Sequence, residues 1–272
     1  MIHLLKRAIF ACLPESGRAV LKTLNFRLKA ANFRKRIVTH AYGSELLQVE
    51  LADPLSQGWY DCDWPALPEI KKLQESGIQG ARIFDLGAHQ CVVAAMLARA
   101  VGTKGEVVAV EAIKHDAAAG MRNLELNAIT NCKVVHGAAG SQPGGIRWGN
   151  DMSIKETRVY SVDELASLYG APDILFIDIE GWECKALEGA TKTLASEPHC
   201  FVEIHAGVGL EASGGSVEQV MSYFSPDRFE LHIRQESDDC FRELHGHQWP
   251  EGRFFLLALA KSRLRNTLKM AA

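Results

Sequence analysis

The chain has no run of about 20 apolar residues, so no segment reads as a membrane-spanning helix. Its seven cysteines form no CxxC pair, and His89 and Cys91 have no second ligand pair at zinc-site spacing, so no metal is expected. A large excess of charge of one sign is missing too. A formal net charge of −3 gives no electrostatic case for nucleic-acid binding. The N-terminal MIHLLKRAIFACLP lacks the basic-then-apolar order of a secretory signal. Several cysteines sit in apolar stretches (CVVAAMLA, HCFVEIH) and behave as small hydrophobes, so a reducing cytoplasm is the expected location. There is no internal repeat and no low-complexity tract.

What is present is ordinary in bulk and uneven in detail. The hydrophobic fraction is 47% and the charged fraction 23%, over 272 residues. Residues 1–40 carry nine basic side chains and one acid, whereas the remainder is net acidic. Leu4, Leu5, Ala8 and Ile9, then Val20, Leu21, Leu24 and Leu28, have helical spacing, so residues 1–40 read as one or two basic helices. This arm either packs on its own domain or makes weak contact with a membrane surface. ADPLSQGWYDCDWP reads as irregular and aromatic-rich, and LPEIKKLQESG as a short helix. The expected organisation is an extension over residues 1–68, a main domain over 69–262 and a basic tail over 263–272.

From residue 81, short β-branched runs alternate with helical stretches. ARIFDL, EVVAVEA, CKVVHGAA, DILFIDIE and HCFVEIH read as strands. SVDELASLYG reads as a helix with a Ser161/Glu164 capping box, and SQPGGIRWGNDMSIKETRV as a polar interruption. Alternation of this kind predicts an α/β fold with a mostly parallel sheet covered on both faces. RFELHIRQ and GRFFLLALA then follow each other without a helix, which predicts an antiparallel pair. That is the architecture of Rossmann-like methyltransferases and not of a simple dinucleotide-binding domain.

The first strand delivers IFDLGAHQCVVA. A dinucleotide site requires GxGxxG, and here only Gly87 is present, which disfavours a pyrophosphate ligand and a nicotinamide dehydrogenase. S-adenosylmethionine, which has no pyrophosphate, becomes the better candidate for the Gly87–Ala88 turn. Glu111, 26 positions after Asp85, ends the second strand, where a carboxylate can accept both ribose hydroxyls. Asp85 would sit near the positive end of the ligand. Either acid alone is equally a solvent-facing strand end.

IFDLGAHQCVVAAMLARAVGTKGEVVAVEA, NLELNAITNCKVVHGAAG, SVDEL, PDILFIDIEGWECKALEGA and VEIH, in order over residues 81–205, resemble the FkbM family of S-adenosylmethionine-dependent methyltransferases. The resemblance implies the class I Rossmann-like fold and methylation of hydroxyl oxygens of sugars, polyketides or related metabolites. It implies that Asp85, Gly87 and Glu111 bind the cofactor, with Ala138 near the adenine. His89 and Cys91 depart from the family's Asn and second glycine. Cys91 is expected to begin the following helix with ordinary dihedrals, its side chain in the core.

DILFIDIEGWE places Asp178, Glu180 and Glu183 at the end of the fourth strand, with Glu203 and His205 at the neighbouring strand end. Asp178 or Glu180 could take the acceptor's proton or orient its hydroxyl, and His205 has the unperturbed pKa that suits a base near neutrality. Glu183 reads first as a helix-start acid. The alternative use of these carboxylates is Mg²⁺ coordination as in a catechol-type methyltransferase, although the acid-plus-Asn arrangement this requires is not visible. Trp59, Tyr60 and Trp64 either stack on an acceptor or anchor the N-terminal arm, and the insertion around Trp148–Thr157 is a second acceptor-recognition candidate. The expectation is a cytoplasmic O-methyltransferase acting on a small-molecule or glycan acceptor. Its competitor is a non-catalytic scaffold whose cofactor turn is degraded at Cys91.

Overall fold

The computed structural model describes residues 32–148, 155–246 and 248–264. It opens with an antiparallel hairpin of β1 (Arg36–Tyr42) and β2 (Glu45–Leu51). This corrects the helical reading at its C-terminal end: RIVTHAY is rich in β-branched and aromatic residues, and pairing with ELLQVEL decides its conformation. The positions from Leu4 to Leu28 that suggested helices lie outside the described residues.

The stretch expected to be irregular contains a helix, α1 (Pro54–Tyr60). One Asp53 carboxylate oxygen caps it, accepting from the amides of Leu55 and Ser56 at 2.8 Å each. The Ser56 hydroxyl accepts from the Asp53 amide at 3.0 Å, completing a capping box behind Pro54 in the first turn. The helix α2 (Pro68–Glu75) forms where the pattern predicts it.

The alternating units follow: β3 (Arg82–Leu86), α3 (Val92–Val101), β4 (Glu106–Glu111), α4 (Lys114–Leu126) and β5 (Cys132–His136). The polar interruption folds as a small sheet of β6 (Ala138–Gly140), β7 (Gly144–Trp148) and β8 (Lys155–Ser161). Residues 149–154 of the proposed recognition insertion lie outside the described residues. Next come α5 (Val162–Tyr169), β9 (Ile174–Ile177), α6 (Glu183–Glu188), α7 (Thr191–Ala195), β10 (His199–Ile204), α8 (Val217–Ser222), β11 (Phe229–Arg234), β12 (Arg242–Glu243) and β13 (Phe254–Ala260). Ser161 caps α5 as predicted, but the Glu164 carboxylate turns outward to Arg158 at 2.7 Å. Only half of that capping box forms.

The main sheet has the order β12-β11-β13-β10-β9-β3-β4-β5. The contiguous run from β10 to β5 is parallel, while β13 lies antiparallel between β10 and β11. The terminal pair is therefore antiparallel, as its missing helix predicts. Chain order reverses between β3 and β9, so the carboxyl ends of these strands open a crevice for a ligand. Each face of the sheet carries its own apolar core. On one face Phe84, Leu86, Val108, Leu175, Val202 and Leu256 pack under α5, α6 and α8. On the other, Ile83, Val107 and Phe201 meet α3, and the hairpin joins them through Tyr42, Leu47 and Leu51. Asn123 and Asn127 of α4 hold that hairpin by accepting from the amides of Glu50 (2.8 Å) and Gln48 (2.9 Å).

Candidate active site

The turn after β3 is built by close packing. Gly87 has φ 94°, and a Cβ there would collide with the carbonyl oxygen of Asp178, so a side chain is excluded on two counts. Its amide and that of Ala88 both donate to the Val110 carbonyl, at 2.9 and 3.1 Å. His89 (φ 46°) and Cys91 (φ 59°) are left-handed although neither is glycine. The expectation of ordinary dihedrals at Cys91 is thus corrected. The family's second glycine marks a real backbone requirement, and cysteine meets it at a strain of about 1–2 kcal/mol. The Cys91 side chain is nevertheless fully buried, in the core beside Gly120.

A cavity of about 190 Å³ opens at this crevice. Gly87, Val110, Ala112, Ala138, Ile146, Ile179 and Trp182 are among the residues that line it. Ala138, which the resemblance puts near the adenine, lies on an apolar wall of this cavity. Ala88 is buried and does not line this cavity. Glu111 ends β4 between two lining residues. Its carboxylate accepts from the His89 amide (2.8 Å) and the Ile113 amide (2.6 Å), leaving each oxygen one further lone pair. Asp85 is buried, and its Oδ2 has no hydrogen-bond partner. Burial, then the Glu111 charge, pushes its carboxyl up to about 7. A buried acid with an orphaned oxygen, an apolar slot and a strand-end carboxylate fit the charged end, base and ribose of an adenosine cofactor.

Beside the cavity, the ends of β9 and β10 bring four carboxylates around His205. This histidine is 1% exposed. Its Nδ1 lies 2.7 Å from Glu183 Oε1, while Nε2 faces Glu180 (3.5 Å), Glu203 (3.6 Å) and Asp178 (3.7 Å). Burial opposes a charge on the imidazole, but the Glu183 hydrogen bond and the charges of Glu183, Glu203 and Asp178 outweigh it and raise the pKa to about 9. The balance favours the charged imidazole, which disfavours His205 as a free base. Removal from water, followed by the Glu203 charge, pushes the Asp178 carboxyl up, with His205 opposing. Burial likewise raises Glu203, against His205 and an Arg253 guanidinium 3.1 Å away. Asp178, Glu203 and His205 offer ligand atoms within 4.8 Å of one another, as do Asp53, His115 and Asp116.

Glu183 has surroundings that the sequence reading did not anticipate. It is wholly buried and accepts from the Gly181 amide (2.9 Å) as well as from His205, so it braces the turn that presents Asp178 and Glu180. A helix-start acid has the same appearance in sequence whether it faces water or a buried histidine. The aromatic cluster divides. Tyr60 is buried with its phenol 2.6 Å from His89 Nδ1, and Trp64 packs on Tyr42 and Tyr60, which anchors the segment. Trp59, 55% exposed, is the one member left facing solvent.

The family profile of the methyltransferase FkbM domain matches residues 85–231, just over half of the chain. No curated protein sequence matches. Similar solved structures include a methyltransferase FkbM from Methylobacillus flagellatus, 20% identical with a TM-score of 0.46, over 65% of this chain and 43% of that one. A putative rRNA methylase from Clostridium thermocellum is 14% identical (TM-score 0.45), over 71% of this chain and 93% of that one. A SAM-dependent methyltransferase from Aquifex aeolicus is 15% identical (TM-score 0.42), over 76% and 93%. The chain spans less than half the length of the Methylobacillus protein. The sequence match carries the assignment, and the sheet order agrees with it: the chain belongs to the FkbM methyltransferase family, with its class I Rossmann-like fold.

Proposed function

We propose that the protein uses S-adenosylmethionine to methylate a hydroxyl oxygen of a carbohydrate or related small metabolite. When bound, this cofactor supplies an electrophilic methyl group on a sulfonium. Ala138, Ile146 and Trp182 would hold its adenine, Glu111 its ribose hydroxyls, and the Gly87 turn with Asp85 its amino-acid end. Asp178 would accept the acceptor's proton as the oxygen attacks. Burial raises its pKa above the usual carboxylate range, which makes it a stronger base once ionised. Glu180 would orient the acceptor. His205, held as a cation by Glu183, would keep the surrounding carboxylates in register and would not itself take the proton.

The observation that carries this reading is the carboxylate cluster around His205, alongside an apolar cavity at the carboxyl ends of the central strands. The same edge, with Asp178, Glu180, Glu203 and Arg253, is dense in acceptors and donors, which suits a polyhydroxylated acceptor. The test is a screen of sugars and hydroxylated metabolites for cofactor-dependent gain of one methyl group, read by mass spectrometry. With an acceptor found, Asp178→Asn should slow transfer about 10²–10⁴-fold while leaving S-adenosylhomocysteine affinity within about threefold. Methylation confined to amine acceptors, or full activity in Asp178→Asn, would contradict the proposal.

A further inference from the structure

The helix α1 has seven residues, too few to hold itself in water, so its place depends on what grips its ends. The cofactor turn supplies a contact at each end, beside the Tyr42 hydroxyl that donates to the Tyr60 carbonyl at 2.6 Å. At the N-terminus, the Asp53 oxygen that does not cap the helix accepts from Gln90 Nε2 at 3.1 Å and lies 3.1 Å from His115 Nε2. Gln90 is wholly buried, and its amide also donates to Asp116 at 2.9 Å. At the other end, the Tyr60 hydroxyl lies 2.6 Å from His89 Nδ1. Burial, first among several causes, pushes the phenol up, and the other ring nitrogen of His89, Nε2, faces Asp116 at 3.8 Å.

These two residues have their backbone in the turn and their side chains in the helix anchors. The His89 amide is held by Glu111, the carboxylate assigned above to the ribose. His89 and Cys91 also hold strained left-handed backbone. A ligand lying against Gly87–His89 and Glu111 would restrain that backbone and, through it, both ends of α1.

We propose that His89 and Gln90 are positioning residues that couple α1 to the cofactor turn, making α1 a lid whose ordering accompanies cofactor binding. This rests on the cofactor assignment of the preceding subsection. Coupling is reciprocal, so whatever factor the ligand adds to lid order, a broken lid contact removes from ligand affinity.

The test combines calorimetric titration with S-adenosylhomocysteine and amide hydrogen exchange over residues 53–61, on the full chain, with Tyr60→Phe and His89→Asn as variants. In the parent, the ligand should slow exchange across α1 about tenfold. Tyr60→Phe, which keeps the packed ring, should lose most of that ligand-dependent protection and bind the ligand about tenfold more weakly. His89→Asn, which leaves Tyr60 in place, should do the same. A purely structural role would instead raise exchange equally with and without ligand, and that result overturns the proposal. So does ligand binding to the parent that leaves α1 exchange unchanged. Absence of any binding heat by a folded parent would overturn the cofactor assignment and this inference with it, which separates the two failures.

Discussion

Asp85 is a residue whose cost and use pull in opposite directions. Its carboxyl is buried, one oxygen has no partner, and its pKa is raised from 3.8 to about 7 by burial and then by Glu111. A folded-state pKa above the unfolded one means stability present at low pH and lost as pH rises from about 4 to 7. Asp85→Asn removes that ionisation without changing the shape. The variant should be more stable than the parent without cofactor, by an amount that grows over this pH range and levels off above it. Chemical denaturation at pH 4.5 and 8 measures the difference, and an equal effect at both would contradict the buried-acid description. The same variant should bind S-adenosylhomocysteine more weakly, since a site residue that strains the fold is one the ligand relieves. Asp85 and Glu111 were legible because strand-end acids beside a glycine turn follow from the order of the strands. Glu183 was not, because an acid in the first helical turn has a sufficient local explanation. Nor was the Tyr60–His89 contact, which joins positions 29 apart through an unpredicted helix.

Among the elements, the parallel strands were the easiest to read. IFDL, EVVAVE, DILFI and HCFVEI are near-continuous apolar runs because both faces of the sheet are covered. The edge hairpin was not. β1 is half exposed and lies in a basic segment, and its strand character comes from pairing with β2. The helix α1 was hidden by its length and by Gly58, and only the Asp53-Pro54 cap announced it. The helices α3 and α4 meet where Cys91 faces Gly120, with no room for a Cβ on the latter. Gly120→Ala should therefore destabilise the protein by about 1–3 kcal/mol through overpacking. Adding Cys91→Gly removes both the opposing sulfur and the left-handed strain, and should recover most of the loss. Thermal denaturation of the two single variants and the pair checks this, and additive effects would contradict the packing account.

For the molecule as a whole, the largest electrostatic feature is the imidazolium of His205 among its carboxylates. Its pKa, raised from 6.5 to about 9, contributes stability that is complete below pH 6.5 and lost as pH rises through 9. The size is on the order of 3 kcal/mol, less whatever the neighbouring acids share. Unfolding free energy should fall over this range in the parent and change much less in Glu183→Gln, which removes the charge bound to Nδ1. A flat profile in the parent would mean that His205 is neutral and available as a base after all. Among the described residues no helix is long and apolar enough to cross a membrane. The cavity and the acidic cluster meet at the carboxyl ends of the central strands, where chain order reverses between β3 and β9. The account depends on that edge holding an adenosine cofactor. Calorimetric titration of the parent and Glu111→Ala with S-adenosylhomocysteine tests this most directly. The predicted result is micromolar binding by the parent, weakened about 10–100-fold in the variant as hydrogen bonds to a charged group are lost. A folded parent that does not bind, or a Glu111→Ala variant that binds as the parent does, would contradict it.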